Sequence, residues 1–492
     1  MSATVFLVRK NLITFTASLL VFVANVPAFG ERPNIVFILA DDHTTQAISC
    51  YGGPLAAYAK TQNIDRLAAE GVRLTHCFCN NSICTPSRAS ILTGEYSHRN
   101  GAYLLDQPLD EDSITFPELL QAAGYQTGLF GKWHLVDRPE GFDDYQILKR
   151  QGRYQDPQFL SPDSDELKTI QGWSTDVITD LTIDFIQSAQ SERPFLVMCQ
   201  YKATHDPWAS RVPYDDLWAD EGERLPEPAS LLQQFDDRRG AAKRTTLKLE
   251  QINQGTFPHT RLQSGDELQQ RRHIYQQYIK SFLRCGRVLD ENVGRLIRFL
   301  DESEHAKNTI VIYTADQGHF LGEHGFFSKR FMYDESMRMP FIIRFPDRSG
   351  AGTTCDDMIS NVDFAPTILA LANVKANQKM QGRSFVSNLL GSAPNDWPQA
   401  VYYRYWQHLL HRNVTAHYGI RTRTEKLIYF HGQPLGMTDF PPTPPQWEYY
   451  DLDSDPHEMQ NRIDDADVQS RIAELKNQLF QLQRQVGDQP VE

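Results

Sequence analysis

Positive charge is in short supply: 49 Lys and Arg stand against 62 Asp and Glu, a formal net charge of −13. So acidic a surface repels polyanions, which excludes nucleic acid as the expected partner. An anionic small molecule fits only where cations are gathered locally. Beyond the first thirty residues no apolar run approaches the ~20 residues that a bilayer-crossing helix needs. No internal repeat is found, which sets aside solenoids, collagen and coiled coils. Cysteine is sparse, with seven: Cys50, Cys77, Cys79, Cys84, Cys199, Cys285 and Cys355. Their spacing forms no paired zinc knuckles. The odd count leaves at least one thiol without an intramolecular partner, and the connectivity is not readable from spacing.

What is present fits a folded chain of 492 residues, 40% apolar and 11% aromatic, too apolar for disorder. The length allows one large domain and a smaller one. Arg9 and Lys10 precede an apolar run over 11–23, and Ala28 and Gly30 supply small residues for cleavage. Residues 1–30 therefore read as a secretory signal peptide, and the mature protein as exported, periplasmic or extracellular, with no remaining membrane span. Domain limits of 31–395 and 396–492 follow from a change of texture near 395.

Short continuous apolar runs at 34–39, 127–130, 194–201, 309–314 and 340–345 are expected of strands buried on both faces. Helical patterns lie between them at 63–70, 116–123, 176–188 and 363–372. The longest, over about 266–300, places Ile274, Tyr278, Phe282, Cys285, Leu289, Val293, Leu296 and Leu300 on one face. The alternation predicts an α/β fold, a mostly parallel sheet sandwiched by helices. After 395, strands at 400–406, 418–422 and 426–430 and a final helix at 468–486 predict a smaller C-terminal antiparallel α+β subdomain. The proline-containing stretch 208–262 reads as an insertion forming a rim or lid.

Ligands of open α/β sheets bind beyond the carboxyl ends of the strands. Four runs end in polar groups: Asp41-Asp42-His43, Lys132-Trp133-His134, Lys202 through His205-Asp206, and Asp316-Gln317-Gly318-His319. The hard oxygens of Asp41, Asp42, Asp316 and Gln317 suit Ca²⁺ or Mg²⁺ better than Zn²⁺. Cys84-Thr85-Pro86-Ser87-Arg88 places a thiol just before a helix expected to start at Pro86. By itself this cysteine reads equally as a buried structural thiol.

Cys84-Thr85-Pro86-Ser87-Arg88 followed by Leu92-Thr93-Gly94 resembles the signature of the formylglycine-dependent sulfatases. The remaining motifs of that family appear in order: 32–42 with Asp41-Asp42, Gly131-Lys132-Trp133-His134, Asp316-Gln317-Gly318 through Lys329, and Tyr450-Asp451-Leu452 with Asp455, Pro456, Glu458 and Asn461. The resemblance implies an alkaline-phosphatase-like fold and oxidation of Cys84 to formylglycine by a maturation enzyme. It implies one Ca²⁺ per chain held by Asp41, Asp42, Asp316 and Gln317 together with the modified Cys84; Gln317 stands where many members have Asn. A hydroxyl of the hydrated aldehyde would attack sulfur. Arg88 would hold the hydrate and the carboxylates in register, Lys132 and Lys329 would bind sulfate oxygens, and His205, with Lys329, would protonate the leaving alcohol. His134 would take the proton of the second hydroxyl.

The stretches Gln151-Gly152-Arg153-Tyr154 and Gly322-Glu323-His324-Gly325 look most like glycan sulfatases, of the N-acetylglucosamine-6-sulfatase or mucin-desulfating kind or the iduronate-sulfatase-like kind. A sulfated carbohydrate is the substrate this implies, with Arg153, Tyr154, Trp208, Trp406, His411, Arg412 and Arg421 as sugar contacts. Two alternatives stand beside it. One is a phosphodiester or phosphonate monoester hydrolase on the same fold; the other is a glycan-binding protein in which Cys84 is never modified.

Overall fold

The computed structural model describes residues 32–220, 222–236, 239–252 and 265–491. The stretch 1–30, read above as a signal peptide, lies outside them. A ten-stranded sheet forms the body, in the order Thr353–Cys355, Val72–Leu74, Phe341–Arg344, Thr309–Ala315, Asn34–Ala40, Phe195–Gln200, Gln126–Gly131, Asp144–Leu148, Gln158–Ser161, Ser164–Thr169. From Thr309–Ala315 to Asp144–Leu148 every pairing is parallel. The neighbours outside that centre, Phe341–Arg344 and Gln158–Ser161, pair antiparallel.

Every residue of Asn34–Ala40, Thr309–Ala315 and Phe195–Gln200 is buried, because helices cover both faces of the sheet. Ile35, Phe37 and Leu39 face one apolar cluster and Val36, Ile38 and Ala40 the other, which is the period-two alternation of a strand. The long helix Glu267–Glu302 is capped by Asp266, whose carboxylate accepts from Gln269 N at 2.8 Å. Its Leu289, Val293, Leu296 and Leu300 pack on the second face of the sheet. The described part of the 208–262 insertion is packed rather than free. Leu225, Leu231, Leu249 and Ile252 are buried against Tyr275, Tyr278, Ile279 and Phe282 of that helix.

The C-terminal region forms a four-stranded antiparallel sheet, Ala400–Tyr405, His417–Thr422, Glu425–Phe430 and Gln446–Asp451, with the helix Gln469–Val486 against it. The fourth strand and the short strands Val72–Leu74, Asp144–Leu148, Gln158–Ser161, Ser164–Thr169 and Thr353–Cys355 have no long apolar run to announce them. A buried charge network ties this sheet to the body. Lys426 Nζ lies 2.7 Å from both Asp334 Oδ1 and Glu458 Oε1, and Arg421 Nη2 lies 2.8 Å from Asp334 Oδ2. All seven cysteines are free thiols.

Candidate active site

Strand register brings the polar ends together. Ala40 pairs with Ala315, so Asp316 follows level with Asp41. Asp42 N donates to Asp316 Oδ1 at 3.1 Å, and Asp41 N donates to Ala203 O at 3.0 Å on the other flank. Lys132 N donates to Gln200 O at 2.8 Å, bringing the next strand's end to the same edge. Gly131 allows this approach: it has φ +111°, and a Cβ there would lie 1.9 Å from Gln200 O. Asp42, His134 and Arg330, none of them glycine, also have positive φ. Such strained backbone gathers where surrounding structure dictates side-chain direction.

The helix Cys84–Thr93 is buried along all ten residues and ends at Gly94 in a left-handed conformation. It starts at Cys84 itself, two residues before the expected Pro86, so the thiol sits in the first turn, at the positive end of the helix dipole. Cys84 Sγ lies 3.6 Å from Asp41 Oδ1 and 3.7 Å from both Lys132 Nζ and Gln317 Nε2. One turn on, Arg88 Nε donates to Asp316 Oδ2 at 3.0 Å, and its Nη1 donates to Lys132 O and to Gln200 Oε1 at 2.5 and 2.8 Å. One guanidinium thus ties three strand ends together.

Three carboxylates share this space: Asp41, Asp42 and Asp316 each offer an oxygen within 4.8 Å of the others, and all are buried. Cations face them. Lys132 pairs with Asp41, Lys329 Nζ donates to Asp42 Oδ2 at 2.6 Å, and Arg88 holds Asp316. Burial would raise all three carboxyls. Lys132, then His205, outweigh it at Asp41; Lys329, then His319, outweigh it at Asp42; both are held below the usual range. Asp316 goes the other way, up to about 6, through burial and then Asp41. Buried carboxylates this crowded, with the Gln317 Oε1 left without a hydrogen-bond partner beside them, make a hard-oxygen donor set. These residues fit a divalent cation such as Ca²⁺.

His205 sits at the rim of this group, its Nε2 3.9 Å from Asp42 Oδ2 and its Nδ1 3.1 Å from Asp206 Oδ1. Burial would lower its pKa; Asp206 and then Asp41 outweigh that and bring it to about 9. At His134, burial followed by Lys132 holds the ring neutral. His319 Nδ1 is 3.4 Å from Asp42 Oδ2, whereas His43 bonds to Tyr313, deeper in the sheet. A pocket of about 430 Å³ continues from His134 and Asp106 along Lys149 and Arg150.

The expected sugar contacts divide. His411 and Arg412 belong to the site's charge environment: Arg330 acts on both, Asp106 on His411 and Asp206 on Arg412, and burial followed by Arg330 brings His411 down to about 4. Arg153 is exposed and donates to Asp156 O at 2.7 Å. The other four are buried and already engaged within the fold. Tyr154 stacks on Trp173, carries Lys202 over its ring and donates to His205 O at 2.6 Å, so it supports the histidine from beneath. Trp208 is packed against Tyr278, and Arg421 is spent on Asp334. Trp406 lies under the Arg404 guanidinium, 3.6 Å from its ring centroid.

Two residues at the site were given no role from the sequence. Asp206 partners His205, and Gln200 accepts from Arg88. Asp206 had a signal, since it follows His205 directly; Gln200 ends an apolar strand and had none.

Comparison with known proteins agrees with this geometry. The sulfatase family model matches residues 33–374. A second model, described as N-sulphoglucosamine sulphohydrolase, C-terminal, matches 322–485. An N-acetylglucosamine-6-O-sulfatase from Bacteroides thetaiotaomicron is 38% identical, covering 93% of this chain and 87% of its own. A solved structure described as bound to its substrate, D-glucosamine-2-N,6-O-disulfate, superposes with TM-score 0.84 at 37% identity, over 93% of this chain and 98% of that one. A phosphonate monoester hydrolase from Agrobacterium radiobacter shares the fold, with TM-score 0.74 at 20% identity over 92% and 96% of the two chains. The Cys84 helix and the carboxylate cluster both lie within the matched residues, and the chain belongs to the sulfatase family of hydrolases.

Proposed function

We propose that this enzyme is an exported sulfatase that removes sulfate from a carbohydrate, with a 6-O-sulfated glucosamine-type sugar as its substrate. The observation that carries the reading is the placement of Cys84 Sγ within 4 Å of Asp41, Lys132 and Gln317, in a pocket where cations are gathered in an otherwise acidic protein. The likeness to relatives named for glucosamine 6-sulfates supports the sugar.

In this reading Asp41, Asp42, Asp316 and Gln317 hold a Ca²⁺, and Cys84 is the position matured to formylglycine. The cation and the aldehyde hydrate together supply an acidified hydroxyl nucleophile and a sink for sulfate charge. Lys132 and Lys329 bind the transferring group, and Arg88 keeps Asp316 and the nucleophile helix in register. His205, its ring held by Asp206, gives a proton to the departing sugar alcohol. His134 serves the second hydroxyl. His411 and Arg412 flank the sugar side.

A panel of sulfated mono- and oligosaccharides, run beside an aryl phosphate diester and a phosphonate monoester, tests the reading. Fastest turnover is expected on 6-O-sulfated glucosamines. Preference for the phosphorus esters would favour the other hydrolase. An unaltered thiol mass at Cys84 in protein from a maturation-competent host, with no turnover, would favour a binding protein.

A further inference from the structure

Gln151 is in contact with two of the site's side chains at once. Its Oε1 accepts from Lys132 Nζ at 2.6 Å, and its Nε2 lies 3.2 Å from His134 Nε2. These contacts fix more than position. An ammonium can only donate, so the carbonyl end of the amide must face Lys132. The NH₂ end must then face His134. Two N–H groups cannot bond to each other, so the Nε2 of His134 has to present its lone pair.

No other group around the ring opposes this. Asp106 Oδ1, the acceptor that would favour a proton on Nε2, stands 3.8 Å away on a half-exposed side chain, outside hydrogen-bond range. Nδ1 is buried and has no hydrogen-bond partner among the described residues. Turning the ring by 180° would put a carbon where Nε2 meets Gln151 and lose that contact, and the residue is closely held. Thr85 Oγ1 donates to His134 O at 2.8 Å, the residue has φ +57°, and its side chain is 4% exposed. Lys132 in turn is held in place by Asp41.

We propose that Gln151 is a positioning residue that fixes His134 as the tautomer with its proton on Nδ1, so that the imidazole meets the reacting group as a hydrogen-bond donor. A neutral N–H pointing at a sulfate or hydroxyl oxygen stabilises charge there without adding a second full cation beside Lys132. His134 can take up a proton at Nδ1 only after yielding that one, or after Gln151 lets go of Nε2. The tautomer assignment rests on this chain's own contacts; its bearing on catalysis rests on the sulfatase reading above.

The test uses full-length protein with ¹⁵N-labelled histidine, the His134 signals being assigned by their loss in His134→Gln. The parent is expected to show a bare Nε2 and a protonated Nδ1. Gln151→Glu keeps an acceptor for Lys132 but cannot donate to the ring, so it should reverse the tautomer. It should also lower kcat on an activated aryl sulfate by at least about 10²-fold, as wrong-tautomer imidazoles do, with KM changed less than about threefold. Gln151→Ala should lower kcat similarly; if it fails to fold, Gln151→Glu decides. A protonated Nε2 in the parent overturns the proposal. So does a Gln151→Glu enzyme with the parent's tautomer and kcat. A parent that cleaves no sulfate ester but shows the Nδ1–H tautomer upholds the assignment and removes only the sulfatase reading.

Discussion

Replacing Asp316 by asparagine is expected to act in opposite directions with and without a divalent cation. The side chain is fully buried beside Asp41 and Asp42, and burial with Asp41 raises its carboxyl to about 6 despite the Arg88 ion pair. A folded-state pKa above the ordinary carboxylate value means that the ionised form is penalised on folding. The penalty is full above pH 6 and fades as pH falls through 6 toward the unfolded value. At 1.36 kcal/mol per pH unit it amounts to about 3 kcal/mol at pH 7.5. Asparagine removes that charge, keeps the shape, and leaves an oxygen for Arg88 Nε. The variant in chelator should therefore be more stable than the parent by up to about 3 kcal/mol at pH 7.5, and by little near pH 4. With millimolar Ca²⁺ the order should reverse, because one of three carboxylate ligands is gone and stabilisation by a bound ion scales with its affinity. Denaturant unfolding of both proteins, with Ca²⁺ and with chelator, at the two pH values reads all of this. A variant that is less stable without metal, or that gains as much from Ca²⁺ as the parent does, would refute the argument that this carboxylate cluster is built around a cation.

Cys84→Ala should lower sulfate-ester hydrolysis by about 10³-fold or more, with the melting temperature nearly unchanged, since a small buried group is lost; steady-state rates and a thermal scan check both. The basic limb of kcat/KM should fall as His205 loses its proton near pH 9. Asp206→Asn should bring that limb down by about one pH unit, because it removes the carboxylate at 3.1 Å; a limb that stays put counts against His205 as the acid. Lys426→Met should cost about 3–5 kcal/mol in denaturant unfolding, since it strands Glu458 and part of Asp334 as buried acids. A loss under about 1 kcal/mol would mean that this network does not anchor the C-terminal sheet.

Much of the body was legible from hydrophobic runs. The strands at Asn34–Ala40, Phe195–Gln200 and Thr309–Ala315 and the helix Glu267–Glu302 fall where apolar continuity or period placed them. Gln126–Gly131 and Phe341–Arg344 do so as well. The edge strands were not legible, because a half-exposed strand such as Ser164–Thr169 carries no apolar signature. The antiparallel course of Phe341–Arg344 was not legible either, since direction leaves no mark in a buried run. The candidate site shows the same division. Motif order named Asp41, Asp42, Cys84, Arg88, Lys132, His134, His205, Asp316, Gln317 and Lys329, and the fold brings these residues into one charge cluster. Aromatic and arginine character alone pointed to Tyr154, Trp208 and Arg421 as sugar contacts, yet rings and guanidinia serve cores and ion pairs equally well, and all three are buried.

The sequence by itself determined the family, the order of the central elements and the residue types at the strand ends, because a buried strand needs a continuous apolar run and a hard-ion site needs oxygens at its close. Only the tertiary structure decided which carboxylate each cation neutralises, that Asp206 stands behind His205, and that Gln151 joins Lys132 to His134. Apart from the adjacent His205 and Asp206, those are contacts between groups separated in the chain, set by sheet register and by the packing of one helix against four strand ends.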